Sequence, residues 1–213
     1  MPASSDNSRN CRARFLVLEG VDGSGKSTQA SRLAAWYQER GCPVVLTREP
    51  GGTELGERLR ALIKDECGDT PPCAPRTELL LTLAARAQHV AEVIDPALSE
   101  GVTVISDRFS LSTLAYQGAA RGLPLADIRA ADAVATQGVR PDLTLVIDVP
   151  LEVAQARTGQ RFDRFEREGP AFLQKVIDGY REIGANEPNV RFIEGSGTVD
   201  EVWQAVRQAV ERM

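Results

Sequence analysis

Residues 20–27 read GVDGSGKS and match the pattern G-x-x-x-x-G-K-[ST]. An apolar run, residues 15–18 (FLVL), precedes this segment, and a segment of helical period follows it. Glycines let a backbone wrap an anion, and the N–H groups at a helix start face that anion. We therefore predict a phosphate-binding loop between a strand and a helix. Its residues are Gly20, Val21, Asp22, Gly23, Ser24, Gly25, Lys26, Ser27 and Thr28.

Two side chains of this loop carry the expected chemistry of nucleoside triphosphate binding. Lys26 is placed to bridge the β- and γ-phosphates, and Ser27 supplies a ligand for Mg²⁺. The alternative is a glycine-rich turn with a chance lysine, which the flanking strand and helix patterns disfavour. ATP and Mg²⁺ are thus the predicted donor and cofactor.

Four further apolar runs alternate with segments of helical period: residues 44–46 (VVL), 102–105 (VTVI), 143–147 (LTLVI) and 190–193 (VRFI). Unbroken apolar strands separated by helices are typical of a parallel sheet that is covered on both faces. Together with the phosphate loop, this pattern predicts a three-layer α/β/α P-loop NTPase fold with a five-stranded parallel sheet.

Polar side chains follow the predicted strands where each one ends, which is the edge at which such folds bind ligands. Glu19, Glu49, Asp107 and Asp148 mark four of these ends. Asp107 is placed to hold Mg²⁺ through water; alternatively, it caps a helix.

Composition limits the partners and the compartment. A net charge of −5 over 213 residues argues against a broad nucleic-acid surface, and no apolar segment approaches the length of a membrane span. The four cysteines form no CxxC pair, so we expect reduced thiols in a cytoplasmic protein. Residues 1–12 read as a disordered tail, residues 68–75 as a loop, and residues 13–213 as one domain.

The remaining sequence narrows the reaction to a kinase of a small acceptor. No NKxD sequence is present to read guanine, and a motor ATPase is usually larger. A kinase must also hold the acceptor's phosphate, for which Arg60, Arg86 and Arg108 are candidates. Residues 155–168 carry clustered arginines that suit either a solvated helix surface or a mobile lid over ATP, and we favour the lid.

Five segments in order resemble bacterial thymidylate kinases over the chain from about Phe15 to its last helix. They are residues 20–27, 47–53 (TREPGGT), 107–118 (DRFSLSTLAYQG), 140–144 (RPDLT) and 163–166 (DRFE). The resemblance implies the nucleotide-kinase arrangement of the sheet, a homodimer, and transfer of phosphate from Mg·ATP to dTMP.

The resemblance also implies roles for individual residues. Asp22 corresponds to a loop carboxylate near the acceptor phosphate, and Glu49 to a residue near the deoxyribose. Arg60 and Arg108 correspond to ligands of the acceptor phosphate, and Arg86 to the arginine that reads a thymine carbonyl. The contacts to the base edge and sugar are Thr113, Gln117 and Tyr116. The lid arginines are Arg157, beside ATP, with Arg161 and Arg164 acting in catalysis alongside Lys26, Asp22 and Arg108.

One position departs from the family pattern. Four residues before Arg86, the family usually has a phenylalanine that stacks on thymine, but this chain has Thr82, and no aromatic residue occurs between Leu79 and Arg86. Either another group covers the base, or the preferred acceptor is dUMP or a 5-modified dUMP. A third alternative, of a different class, is a nucleotide-binding regulator without catalysis.

Overall fold

A computed structural model describes residues 11–64, 73–158, 165 and 168–213. Within these residues, five strands form one sheet in the order β2-β3-β1-β4-β5, and every neighbouring pair is parallel. The predicted parallel sheet is thereby confirmed. The strands are β1 (Phe15–Glu19), β2 (Val44–Arg48), β3 (Thr103–Asp107), β4 (Leu143–Asp148) and β5 (Val190–Glu194).

Helices connect the strands. They are α1 (Lys26–Glu39), α2 (Glu54–Lys64), α3 (Pro75–His89), α4 (Asp95–Ser99), α5 (Ser110–Thr113), α6 (Leu125–Thr136), α7 (Leu151–Thr158), α8 (Pro170–Gly184) and α9 (Val199–Glu211). α3 and α4 are joined by a π-helical turn at Val90–Ile94. A second π-helical segment, Leu114–Ala120, follows α5.

Alternate residues of the central strand β1 pack on opposite faces of the sheet, as the two-residue period of a strand requires. Leu16 and Leu18 join a core cluster with residues of α1 and α9. Phe15 and Val17 join another cluster that includes Ile94, from the π-helical turn before α4. Helices thus cover both faces, which accounts for the nearly continuous apolar sequence of β1.

The register of the strands brings the predicted polar residues to one edge. Asp107, the last residue of β3, is paired with Leu18 of β1 on one side and with Arg48 of β2 on the other. The chain continues this pairing beyond the strands, since the Arg108 N–H donates to the Leu18 carbonyl at 2.9 Å. The ends of β1, β2 and β3 therefore converge on the segment that follows β1.

The expectation of four reduced cysteines is wrong for one pair. Cys11 and Cys42 form a disulfide with their Cα atoms 5.5 Å apart. β1 and β2 both flank β3, so the residues that precede these two strands approach each other at the amino end of the sheet. A rule based on CxxC spacing detects only local pairs and cannot find this one.

None of the described helices is long and apolar enough to cross a membrane. Residues 1–10 of the predicted tail, Cys67, residues 68–72 of the predicted loop, and residues 159–164 and 166–167 of the predicted lid lie outside the described residues.

Candidate active site

The predicted phosphate loop runs from the end of β1 to the start of α1. Gly20 and Gly23 adopt φ angles of 136° and 82°, and a Cβ atom added at Gly23 would lie 2.2 Å from the carbonyl oxygen of Ala154. Only glycine fits such a position. Gly25 precedes α1 with a φ of 95° and gives the helix no side-chain cap, so the first N–H groups of α1 can face a phosphate.

Asp22 of the loop binds two cations. The Lys26 ammonium and the Arg108 guanidinium both donate to Oδ1 of Asp22, each at 2.7 Å. Burial alone would raise the pKa of the Asp22 carboxyl, but the charges of Lys26 and Arg108 lower it well below its usual range. The lysine predicted for the donor and the arginine predicted for the acceptor thus share one carboxylate.

Ser27 and Asp107, the two predicted ligands of Mg²⁺, are in contact. The Ser27 hydroxyl donates a hydrogen bond to the Asp107 carboxylate across the carboxyl edge of the sheet. Both are hard oxygen donors, which Mg²⁺ prefers, and Mg²⁺ in kinases takes its other ligands from phosphates and water. Among the described residues, no three His, Cys, Asp or Glu side chains are grouped so as to hold a metal by themselves.

A cavity of about 480 Å³ opens beside the loop. It lies where α2, α3 and the segment after β3 meet the loop, so distant parts of the sequence share its wall. The predicted site residues in its lining are Asp22, Lys26, Ser27, Glu49, Arg60, Thr82, Arg86, Asp107, Arg108, Thr113, Tyr116 and Gln117.

Positive charge collects at the end of this cavity nearest the loop. Arg60 on α2 donates to the carbonyl of Pro50 at 2.8 Å and faces the same space as Arg48 and Arg108. Burial and then the charges of Arg48 and Arg108 lower the pKa of Arg60. Cations that repel one another in this way favour the binding of an anion between them.

Another part of the cavity lining is built around Arg86, whose side chain is only 1% exposed. Its Nε donates to Glu49 at 2.8 Å, and one Nη donates to Asp132 at 2.6 Å. Burial would lower the pKa of Arg86, but these two carboxylates raise it. His89, for which no catalytic role is predicted, contacts the second Glu49 oxygen at 2.9 Å through Nδ1 and Thr47 at 2.7 Å through Nε2.

Three residues predicted to lie near the base differ in their hydrogen bonding. Thr82 donates to the backbone carbonyl of Glu78 at 2.9 Å, and Gln117 donates to the Glu78 carboxylate at 2.8 Å. The Thr113 hydroxyl is buried and has no hydrogen-bond partner within the described chain. A buried hydroxyl without a partner is costly, so Thr113 is suited to receive a polar ligand.

The cavity contains aromatic side chains although position 82 is not aromatic. Tyr116 and Phe165 both line it, and their rings meet edge to face with centroids 5.4 Å apart. Phe165 belongs to the predicted lid segment. A ring therefore borders the same space as Thr82 but comes from a different part of the chain.

A second cavity of about 560 Å³ lies on the other side of Lys26, between the loop and the start of α9. Arg157 borders it and donates to the carbonyls of Gly195 at 2.9 Å and Gly197 at 3.2 Å. This contact holds the turn after β5 beside the loop. Arg157 is thus close to the predicted ATP site, whereas Arg161 and Arg164 lie outside the described residues.

Sequence patterns miss several residues of the site. Asp132 on α6 contacts Arg86, but no local motif indicates this pair. Ser112 and Tyr180 contact Arg108 at 3.1 and 3.0 Å, and no local motif indicates these contacts either. Among the residues without a predicted role, only Glu19 was indicated by the sequence, because it is a carboxylate at the end of a buried strand. These partners are 46, 4 and 72 positions away from the arginines they contact.

Comparisons with known proteins agree on one family. A family model described as thymidylate kinase matches residues 18–206. The thymidylate kinase of Neisseria gonorrhoeae is 43% identical over 203 residues, covering 94% of this chain and 97% of that protein. The thymidylate kinase of a Synechococcus species is 48% identical over 206 residues, covering 94% and 96%. The crystal structure of thymidylate kinase from Ehrlichia chaffeensis superposes with a TM-score of 0.74 at 32% identity, covering 93% of this chain and 98% of that one.

Proposed function

The chain belongs to the thymidylate kinase family, and we propose that it transfers the γ-phosphate of ATP to dTMP, giving ADP and dTDP. The observation that carries this proposal is the bridge at Asp22. Lys26 of the phosphate loop and Arg108 of the acceptor cavity meet on one carboxylate oxygen, so two phosphate-binding groups lie side by side. Transfer between two phosphates requires that proximity.

Donor binding rests on the loop. The glycines from Gly20 to Gly25 and the N–H groups of α1 surround the phosphates of ATP, and Lys26 leaves Asp22 to bind the β- and γ-phosphates. Arg157, which holds the turn after β5, lines the nucleoside end of this site. We propose that Arg161 and Arg164 neutralise the negative charge of the γ-phosphoryl group during its transfer.

Acceptor binding rests on the cations of the larger cavity. Arg60 and Arg108 hold the 5′-phosphate of dTMP, which relieves their mutual repulsion. Arg86 and Gln117 face the base, and the buried Thr113 hydroxyl gains a partner there. Glu49 orients Arg86 and borders the sugar, while Tyr116 crowds the 2′ position.

Ser27 and Asp107 would hold Mg²⁺, which when bound neutralises charge on the β- and γ-phosphates. The chain itself needs no nucleophile, because the acceptor oxygen belongs to dTMP. A phosphate monoester has a second pKa of about 6, so that oxygen is already ionised near neutral pH. Positioning and charge neutralisation are therefore the protein's contribution.

We also propose a homodimer that forms through the outer faces of α2 and α3. Leu55 and Leu62, seven residues apart on one side of α2, are 48% and 49% exposed, and Leu80 on α3 is 63% exposed. Large apolar side chains exposed on neighbouring helices favour association. Light scattering should give the dimer mass for the wild type and the monomer mass for Leu62→Lys/Leu80→Lys; unchanged mass would contradict this interface.

The small anionic substrates, together with bacterial relatives over 94% of the chain, support a cytoplasmic enzyme without nucleic-acid or membrane partners. We propose that residues 13–213 act as one domain.

The function is tested by measuring ADP release with Mg·ATP and dTMP, dUMP, dCMP, dGMP, UMP or 5-hydroxymethyl-dUMP, with an acceptor-free reaction as control. We expect the highest kcat/KM for dTMP. Preference for dUMP or its 5-modified form would mean that Thr82, in place of the family's phenylalanine, changes the base specificity. ATP binding without ADP release from any acceptor would contradict the kinase and favour a regulator.

A further inference from the structure

A buried carboxylate links the donor loop to the acceptor arginine. Glu19 is the last residue of β1, directly precedes Gly20 of the loop, and is fully buried. Its Oε1 accepts hydrogen bonds from the backbone N–H groups of Phe109, at 2.9 Å, and Ser112, at 3.1 Å. Glu19 thus connects the start of the phosphate loop to the turn that carries Arg108.

The other oxygen of Glu19 is bound by two hydroxyls. Tyr180 on α8 donates to Oε2 at 3.0 Å, and the Ser112 hydroxyl donates to the same oxygen. Burial and the Glu19 charge raise the pKa of Tyr180 well above its ordinary value, so the phenol keeps the proton that it donates. None of the predicted catalytic or binding roles includes Tyr180.

The same two hydroxyls accept from Arg108. Its Nη1 lies 3.0 Å from the Tyr180 oxygen and 3.1 Å from the Ser112 oxygen. A carboxylate can only accept hydrogen bonds and a guanidinium can only donate them, so the two hydroxyls, which can do both, link Arg108 to Glu19. The hydroxyl oxygens also lie 2.8 Å from each other. The network therefore runs from the guanidinium through the hydroxyls to the carboxylate.

The second half of the guanidinium is held as well. Nη2 of Arg108 donates to Asp22 at 2.7 Å, and the group lies over the Tyr116 ring at 5.2 Å from its centre. Arg108 also has a φ of 76°, a left-handed conformation that a non-glycine residue keeps only when its surroundings enforce it. One side of its fork is thus anchored to Glu19 and the other faces the loop.

We propose that Tyr180 is a positioning residue, which with Ser112 couples the position of the donor loop at Glu19 to the guanidinium of Arg108. This inference rests on the proposed function, in which Arg108 holds the acceptor phosphate. Small displacements of a positioned group slow a transfer that needs its reacting atoms in line. The hydroxyl of Tyr180 contributes to the rate through Arg108, without contact with either nucleotide.

The test is Tyr180→Phe, which removes only the hydroxyl and keeps the buried ring beside Tyr116. Losing one hydrogen bond to a charged group should lower kcat/KM for dTMP about tenfold or more. KM for ATP should stay close to the wild type, and Tm should fall only modestly, because the buried Glu19 carboxylate loses one of its donors but keeps the others. Tyr37→Phe is the matched control, because Tyr37 is also buried but packs between α1 and the sheet and lines neither nucleotide cavity.

A double-mutant cycle separates positioning from a structural role. If Tyr180 acts through Arg108, Tyr180→Phe added to Arg108→Ala should cause little further loss of kcat/KM, whereas independent effects would multiply. Multiplying effects, or equal rises in both KM values with a much lower Tm, would overturn the proposal. If Tyr180→Phe does not fold, the same cycle with Ser112→Ala replaces it.

Wild-type activity distinguishes failure of this inference from failure of the proposed function. Normal dTMP turnover in Tyr180→Phe, beside normal turnover in the wild type, would refute the positioning role and leave the kinase intact. If the wild type prefers another monophosphate, the cycle is run with that acceptor, and the same outcomes decide. A wild type without turnover on any acceptor would refute both.

Discussion

Arg108 and Asp22 are joined by an ion pair of 2.7 Å between Nη2 and Oδ1. Asp22 belongs to the phosphate loop and Arg108 follows β3, 86 positions later in the chain. Lys26 binds the same oxygen. The loop thus holds its own lysine and the arginine that we propose for the acceptor site on one carboxylate oxygen.

The first prediction concerns pH. The pKa of Asp22 is well below its usual range, although burial opposes this shift, because Lys26 and Arg108 stabilise the anion. A depressed pKa contributes stability that is complete above the unfolded value of about 3.9 and is lost as pH falls through the folded value. As pH falls below about 4, the free energy of unfolding should therefore decrease less steeply in Asp22→Asn than in the wild type.

This is measured by chemical denaturation between pH 2 and pH 7. Asp200→Asn is the control, because Asp200 is 82% exposed in its ion pair with Arg32 and should leave the slope unchanged. Equal slopes for wild type and Asp22→Asn would contradict the ion-pair argument.

Lys26→Ala should lower kcat/KM by at least about a hundredfold, the usual scale for losing one group that stabilises transition-state charge. Circular dichroism and Tm should show a folded protein, since Arg108 still pairs with Asp22. Lys175→Ala, an exposed lysine on α8, is the control. Full turnover in Lys26→Ala would refute the donor assignment.

Arg60→Ala should raise KM for dTMP about 10- to 100-fold, because a hydrogen-bonded charge is lost from the acceptor-phosphate site. KM for ATP should change little. Arg58→Ala offers a matched control on the same helix, since Arg58 is 74% exposed and paired with Glu54. A rise in KM for ATP alone would indicate that Arg60 acts at the donor site and not at the acceptor site.

Thr82→Phe should tighten dTMP binding about fivefold or more, because a stacking ring contributes about 1–3 kcal/mol and the 480 Å³ cavity has room for it. Isothermal titration calorimetry with dTMP measures this. Thr77→Phe, the same substitution at an exposed threonine of the same helix, is the control. Weaker binding in Thr82→Phe would mean that Phe165 or another group already covers the base.

Cys42→Ser should lower the free energy of unfolding by about 3–4 kcal/mol without reductant, as expected for a crosslink closing a loop of 31 residues. With reductant the two proteins should unfold alike, and activity should not change because the bond lies at the amino end of the sheet. The measurement with reductant is the control, because neither protein then has the crosslink. Equal stability without reductant would argue against the bond in solution.

Local sequence patterns were sufficient for the phosphate loop and the strands. The loop depends on glycines and a lysine within eight consecutive residues, and its conformation follows from their backbone freedom. The strands depend on apolar runs that must be buried on both faces. Convergence of Glu49, Asp107 and Arg108 could also be inferred, because the carboxyl ends of parallel strands meet at one edge.

Partnerships between distant side chains required the folded chain. Tyr180 reaches Glu19 across 161 positions, Arg86 reaches Asp132 across 46, and Cys11 reaches Cys42 across 31. No periodicity encodes such pairs, because they depend on how helices and strands pack in three dimensions. The residues that we propose to bind phosphate could therefore be identified from the sequence, whereas the residues that contact them could be identified only from the packing of the folded chain.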